Sequence, residues 1–255
     1  MFPSACIEWL YQDTHPDLAD RIRAAKADGI AHVEFHLWRD KQIDAVAQAL
    51  EETGVTLTSF VVEPRRSLVD PAEHAEFLQA VRESLEVAAR LGKPPLVVAS
   101  GFTREGVPRE EQREEAISAL RQAARLAEEA GIVLVLEPLN TRVEHPGMFL
   151  SDTAEALDII EAVDSPNLKL LFDLYHSAVM EEDLEQVLKD RMHLVHHVQV
   201  ADMPGRNEPG TGVIDWQDKL GRLRALGYEG AVGLEYKPTM PATQSLRTAR
   251  AATGL

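Results

Sequence analysis

The sequence predicts an α/β protein of one domain, an eight-fold (β/α)8 barrel spanning residues 1–255. Three observations carry that expectation. Short apolar runs alternate with amphipathic helical runs from end to end, the pattern of a parallel sheet wrapped by helices. Eight such pairs fit into 255 residues, the usual length of this barrel at about 30 residues per strand–helix unit. Finally, Glu137, Asp173, Gln199 and Glu235 each close an apolar run, at separations of 36, 26 and 36 residues. Four consecutive units would set their side-chain oxygens on one rim.

The expected strands are 5–11, 31–37, 56–62, 96–100, 133–137, 169–173, 197–201 and 231–235. Helical stretches fall between and after them at 16–28, 41–53, 71–91, 109–130, 152–163, 184–189, 216–226 and 245–252. Gly29, Gly54, Gly92, Gly131 and Gly227 each follow a periodic run, as expected of the left-handed residue that ends a helix. Ser151-Asp152-Thr153-Ala154-Glu155 offers capping oxygens and early acidic residues before an apolar helix. Leu78, Val81, Leu85, Ala88 and Ala89 recur at helical spacing as an inward stripe. An open doubly wound sheet shares the alternation. Its dinucleotide-binding form is unsupported, because no Gly-x-Gly-x-x-Gly follows the first strand.

Composition narrows the function. The chain is 45% hydrophobic and 27% charged, ordinary for a globular protein. With Cys6 as its one cysteine, the chain can build no internal disulfide and no thiolate metal site. Cys6 lies in the apolar first strand and is expected to be inert. The N-terminus lacks a basic start followed by a long apolar run, so no signal peptide or membrane span is expected and the expected compartment is the cytoplasm. A formal charge of −16 argues against nucleic acid, whose binding is driven by Lys and Arg. It leaves room for a small anion held by a local pair of cations. The expected partner is a small-molecule keto acid or sugar, and a homo-oligomer stays open.

The rim residues define a chemistry. Three carboxylates and an amide oxygen make a site for one hard divalent ion, Mg2+ or Mn2+. Without a cation the carboxylates would repel one another and lose hydration. Such a cation can chelate adjacent oxygens of a hydroxy-carbonyl compound and stabilise the enediolate formed when the C–H between them ionises. Glu137 and Glu235 stand three units apart and would face each other as base and acid. Asp173 and Gln199 would mainly hold the ion. His176 leaves the strand three residues after Asp173 and is placed to donate to a substrate oxygen. His196 and His197 read better as surface or core histidines. Two connections are long, 101–108 and 203–215, and in a barrel both lie on the functional rim. Arg206, Lys237, Arg65 and Arg66 are the cations there that could hold a substrate carboxylate, Arg offering the bidentate fork.

The motifs Leu136-Glu137-Pro138-Leu139-Asn140-Thr141-Arg142, Asp173-Leu174-Tyr175-His176, the run from His197 through Gln199 to Gly212, and Gly233-Leu234-Glu235-Tyr236-Lys237-Pro238 resemble the hydroxypyruvate isomerase family. That family sits within the xylose-isomerase-like TIM barrels. The resemblance is strong over the second half of the chain and looser over the first. It implies a divalent metal held by Glu137, Asp173, Gln199 and Glu235, with Glu137 and Glu235 as the proton-transfer pair. It also implies an intramolecular oxidoreductase that interconverts hydroxypyruvate and tartronate semialdehyde. The rim segments 63–68 and 36–41 depart from the typical member, and such segments choose the substrate. Ketose 3-epimerases are similar too, but usually present His where Gln199 stands. Two further readings fit less well. A nuclease barrel needs more metal ligands and a basic surface, and a non-catalytic sugar sensor needs no opposed acid and base.

Overall fold

The computed structural model describes residues 1–255. Its eight parallel strands close into a barrel in sequence order. They are β1 (Phe2–Cys6), β2 (His32–Glu34), β3 (Thr56–Val61), β4 (Leu96–Ala99), β5 (Leu134–Glu137), β6 (Leu168–Asp173), β7 (Val195–Val200) and β8 (Ala231–Leu234). The expected barrel is thus the observed one. Strand β8 pairs with β1 at Ser4 opposite Gly233, and with β7 at Gln199 opposite Gly233.

The chain forms two compact units. One joins Met1–Ser59 to His197–Leu255, and the other is Phe60–His196. The first carries α1 (Leu18–Ala27), α2 (Ile43–Thr53), α8 (Trp216–Ala225) and α9 (Ala242–Thr253). The second carries α3 (His74–Arg90), α4 (Arg109–Ala130), α5 (Thr153–Val163), α6 (Leu174–Val179) and α7 (Leu184–Leu188). Strands covered on both faces read as unbroken apolar runs, and Leu134, Val135 and Leu136 are fully buried. The five predicted helix-ending glycines all have φ between +63° and +94°, where a Cβ is disfavoured. Asp152 accepts a hydrogen bond from Glu155 N at 2.8 Å and caps α5 as expected.

Three details differ. The first strand runs from Phe2 to Cys6 rather than from 5 to 11, and residues 7–14 are turns. Ile7, Leu10 and Tyr11 are nevertheless buried. Hydrophobicity reported burial there, not conformation. The stripe of α3 is Phe77, Val81, Ser84, Leu85 and Ala88, while Leu78 is half-buried and Ala89 exposed. The bulky Phe77 sets the phase, and a single methyl costs little to expose. Third, α6 begins directly after Asp173, where no helix was expected before residue 184. The Asp173 carboxylate accepts from Tyr175 N at 2.8 Å and so caps it.

Candidate active site

The Phe60–His196 unit gathers one group of titratable side chains. Glu137 ends β5 and Asp173 ends β6, while His176 occupies the first turn of α6. One ligand atom from each lies within 4.8 Å of the others. His176 Nε2 is 3.4 Å from Asp173 Oδ2 and 3.8 Å from Glu137 Oε1. Asp173 and His176 are buried, and Glu137 is nearly so. The structure therefore brings these three sequence-predicted residues together.

The ring of His176 is held from behind by Asn140. Asn140 Oδ1 accepts from Val143 N at 3.0 Å and Glu144 N at 3.1 Å, so its Nδ2 must point the other way. That amide donates to Glu144 Oε2 at 2.5 Å and to His176 Nδ1 at 2.6 Å. The Asn140 backbone N–H donates to the same Nδ1 at 3.3 Å. Nδ1 is an acceptor, so the proton of the neutral ring sits on Nε2. His176 accordingly presents a donor on the side of Glu137 and Asp173. A ring protonated at Nε2 is no metal ligand through that atom.

The other unit holds Gln199, Arg206 and Glu235. Glu235 Oε1 accepts from His36 Nε2 at 2.7 Å, and its Oε2 forms a buried ion pair with Arg206. Arg206 also lies 5.6 Å above the Trp9 ring. Glu208, two residues on from Arg206, is engaged elsewhere. Glu208 accepts from Thr239 N at 2.7 Å and from Thr239 Oγ1 at 3.1 Å. The long segment after β7 is thereby tied to the residues after β8, since Lys237 N also donates to Arg206 O at 2.8 Å. Asp202 organises the same segment. Its carboxylate is buried, and burial raises its proton affinity. The Trp216 indole N–H and the backbone N–H groups of Ile214, Gly210 and Gly212 reverse that and hold its pKa below the usual carboxylate range. Lys237 is exposed.

Gln199 is buried, and its Nε2 donates to Glu34 Oε1 at 2.8 Å. Its Oε1 is buried with no hydrogen-bond partner, an unusual expense for an amide oxygen. An acceptor left open beside a fixed donor is what an oxygen ligand for a cation requires. The carboxylates of Glu137 and Asp173 in one unit, and the open Gln199 oxygen in the other, are each hard donors that suit a divalent ion.

Sequence reasoning missed Glu34, His36 and Asn140. The signal for Glu34 was present, since a glutamate inside Val33-Glu34-Phe35 is anomalous in a buried strand. His197, expected to be structural, is buried and donates from Nε2 to Glu34 Oε2 at 2.7 Å, while His196 is exposed. Cys6 Sγ is 3.5 Å from His36 Nε2. Burial pushes the Cys6 thiol up, aided by Glu235 and Glu34, which keeps it protonated as expected of an inert thiol.

The profile of the xylose isomerase-like TIM barrel family matches residues 20–252. The chain belongs to that family. Within it, the chain groups with the hydroxypyruvate isomerases. A Streptomyces coelicolor protein provisionally named hydroxypyruvate isomerase is 37% identical over 88% of this chain and 87% of its own length. The 2-oxo-tetronate isomerase of Cupriavidus necator is 31% identical over 86% of each chain. Among solved structures, a Brucella melitensis protein described as an AP endonuclease of family 2 superposes with a TM-score of 0.89, at 30% identity over 96% of both chains. No helix is long and apolar enough to cross a membrane.

Proposed function

We propose that this isomerase acts on a small keto acid, converting hydroxypyruvate to tartronate semialdehyde (2-hydroxy-3-oxopropanoate) or carrying out the same change on a related acid such as 2-oxo-tetronate. The gathering of Glu137, Asp173 and the Nε2–H of His176 at the ends of consecutive strands is the observation that carries this reading. Glu137 and Asp173, which end β5 and β6, Gln199, one residue before the end of β7, and Glu235, just after β8, would hold one divalent ion, Mg2+ or Mn2+. Such an ion would supply positive charge against the two oxygens of the enediolate.

The chain's own residues account for the proton movements. One of Glu137 and Glu235, ionised, takes the proton from the carbon that bears the hydroxyl group. The other, protonated at the outset, gives its proton to the former carbonyl carbon, while the hydroxyl proton passes to the neighbouring oxygen. Exchange with water then returns the two carboxyl groups to their starting states. His176 Nε2–H donates to the carbonyl oxygen as negative charge grows there. His36 donates to one oxygen of the Glu235 carboxylate and Arg206 pairs with the other, which together hold it in one rotamer.

The substrate's carboxylate needs a cation. Arg66 is committed to Glu76 at 2.6 Å and Arg206 to Glu235, whereas Arg65 is exposed and makes no ion pair. Arg65 and Arg66 line a pocket of about 420 Å3 with Phe102, Leu139, His145 and Met148. His145 stacks edge-on against His176 at 5.6 Å, so this pocket adjoins the trio. Arg65 is thus the favoured anchor, with Arg206 and Lys237 as the other candidates for contact with substrate.

Proton exchange in heavy water, screened over C3–C6 keto acids and ketoses with and without Mn2+, tests the reading. Metal-dependent exchange on hydroxypyruvate or 2-oxo-tetronate is the expected result. Faster exchange on neutral ketoses would replace it with the alternative, a ketose 3-epimerase, which returns the proton to the same carbon from the opposite face. Cleavage of abasic-site DNA would support the nuclease description given to the Brucella protein. The charge of −16 weighs against that outcome.

A further inference from the structure

We propose that Glu34 is a positioning residue that fixes which end of the Gln199 amide is offered to the cation. The inference rests on the reading of Gln199 as a ligand and extends it to a residue that binds neither metal nor substrate.

An amide is nearly symmetric in shape, and half a turn of its last torsion exchanges oxygen for NH2. Only the oxygen can ligate a cation, so a glutamine ligand needs something to choose between the two states. Glu34 does so by accepting from Gln199 Nε2 at 2.8 Å. With the NH2 group engaged there, Oε1 is turned away from Glu34, buried and without a hydrogen-bond partner.

The selector is itself immobilised. Its other oxygen, Oε2, accepts from His197 Nε2 at 2.7 Å and lies 3.5 Å from Thr58 Oγ1. Thr58 in turn donates to Val33 O at 3.1 Å and shares a 2.6 Å hydrogen bond with Ser4 Oγ. A register shift between β2 and β3 at Val33 and Glu34 makes room for Thr58. Directly across the ladder from Gln199, Gly233 leaves the space that the carboxylate fills. A Cβ there would lie 2.4 Å and 2.6 Å from the two Glu34 oxygens.

Packing alone does not explain this arrangement. Glu34 is 1% exposed, and His197 is the one group that can form an ion pair with it. A carboxylate so placed gives up its hydration without an Arg or Lys in return, which costs stability. An apolar residue would fill the space more cheaply but could not choose an amide orientation.

The test is Mn2+ binding, read from the loss of the free-ion EPR signal, with melting temperature of the metal-free protein as a separate readout. The variants are Glu34→Gln, Gln199→Ala, Gln199→Glu and the exchange pair Glu34→Gln/Gln199→Glu. Glu34→Gln should weaken Mn2+ affinity about 10- to 100-fold, the usual loss when the partner of a ligand is removed. The exchange pair should recover most of that loss, because a carboxylate at 199 has two equivalent oxygens and the amide at 34 can donate to one of them. A folded Glu34→Gln protein with undiminished Mn2+ affinity would show that Glu34 serves packing only. If Glu34→Gln does not fold, the exchange pair decides: binding no better than Gln199→Ala overturns the inference. Unchanged affinity in Gln199→Ala would instead remove Gln199 from the ligand set, a separate failure that also ends this proposal.

Discussion

Asn140 Nδ2 donates to His176 Nδ1 at 2.6 Å and thereby settles which nitrogen of His176 carries the proton. The nitrogen that faces Glu137 and Asp173 is the donor, so under the proposed function His176 would polarise a carbonyl rather than ligate. The 15N shifts of His176 should report an unprotonated Nδ1 and a protonated Nε2. His176→Ala should lower kcat about 10²–10³-fold, the usual loss of one donor to a developing oxyanion. Asn140→Ala should fall between that variant and the unmodified protein. Full activity in His176→Ala would remove the histidine from the mechanism.

Glu137→Gln and Glu235→Gln should each reduce turnover by at least about 10²–10⁴-fold, the range for general acid–base transfer. Circular dichroism should show the fold retained. A near-normal rate in either variant would end the two-glutamate scheme.

Asp173→Asn and Asp173→Ala separate two duties of one carboxylate. Asparagine caps helices as well as aspartate does, so Asp173→Asn should keep the cap on α6 and lose mainly metal affinity. Excess Mn2+ should then recover part of its activity. Asp173→Ala should also melt at lower temperature. Chelation should abolish turnover in the unmodified enzyme, with Mg2+ or Mn2+ restoring it. Undiminished activity after exhaustive chelation would contradict the metal assignment.

The arginines should behave differently from one another. Arg65→Ala should raise KM for a keto acid with little change in kcat, and leave a neutral ketose unaffected. Arg206→Ala should depress kcat for every substrate, because Glu235 loses its ion pair. Equal KM changes for acid and ketose in Arg65→Ala would dismiss Arg65 as the anchor.

Asp202→Asn should destabilise the protein by about 2–4 kcal/mol at neutral pH. Either amide orientation turns an NH2 group toward two of the N–H donors that now point at the carboxylate, and buried groups left unsatisfied cost about 1–3 kcal/mol each. The pKa of Asp202 is lowered on folding. Its stabilisation is therefore complete above the unfolded carboxylate value and is lost as pH falls through the folded one. The difference in melting temperature between the two proteins should shrink in acid below the ordinary carboxylate range. A constant difference across that range would mean that the ionised form contributes nothing.

The legible part of this molecule was the part governed by local rules. The ends of β5, β6 and β8 could be read because an apolar run followed by one polar residue, Glu137, Asp173 or Glu235, marks them. Helix ends at Gly54 and Gly131 could be read because a left-handed residue is a local requirement. Glu34 and His36 were missed, for their roles depend on partners far away in sequence: Glu34 meets Gln199, and His36 meets Glu235. Nothing within β2 announces either contact. The loop from Ile7 to Tyr11 was mistaken for strand for a related reason. A buried loop and a buried strand carry the same hydrophobicity, and the difference lies in backbone pairing that a single sequence does not display.

Glu34 meets His197 and Gln199 across separations of 163 and 165 residues. Its cavity is completed by Gly233, on the last strand. A ribosome-bound chain can therefore form much of its helical structure long before this amide has a fixed direction. Contacts so distant in sequence also form slowly. The direction of the Gln199 amide is thus settled only once strands from both ends of the chain have come together.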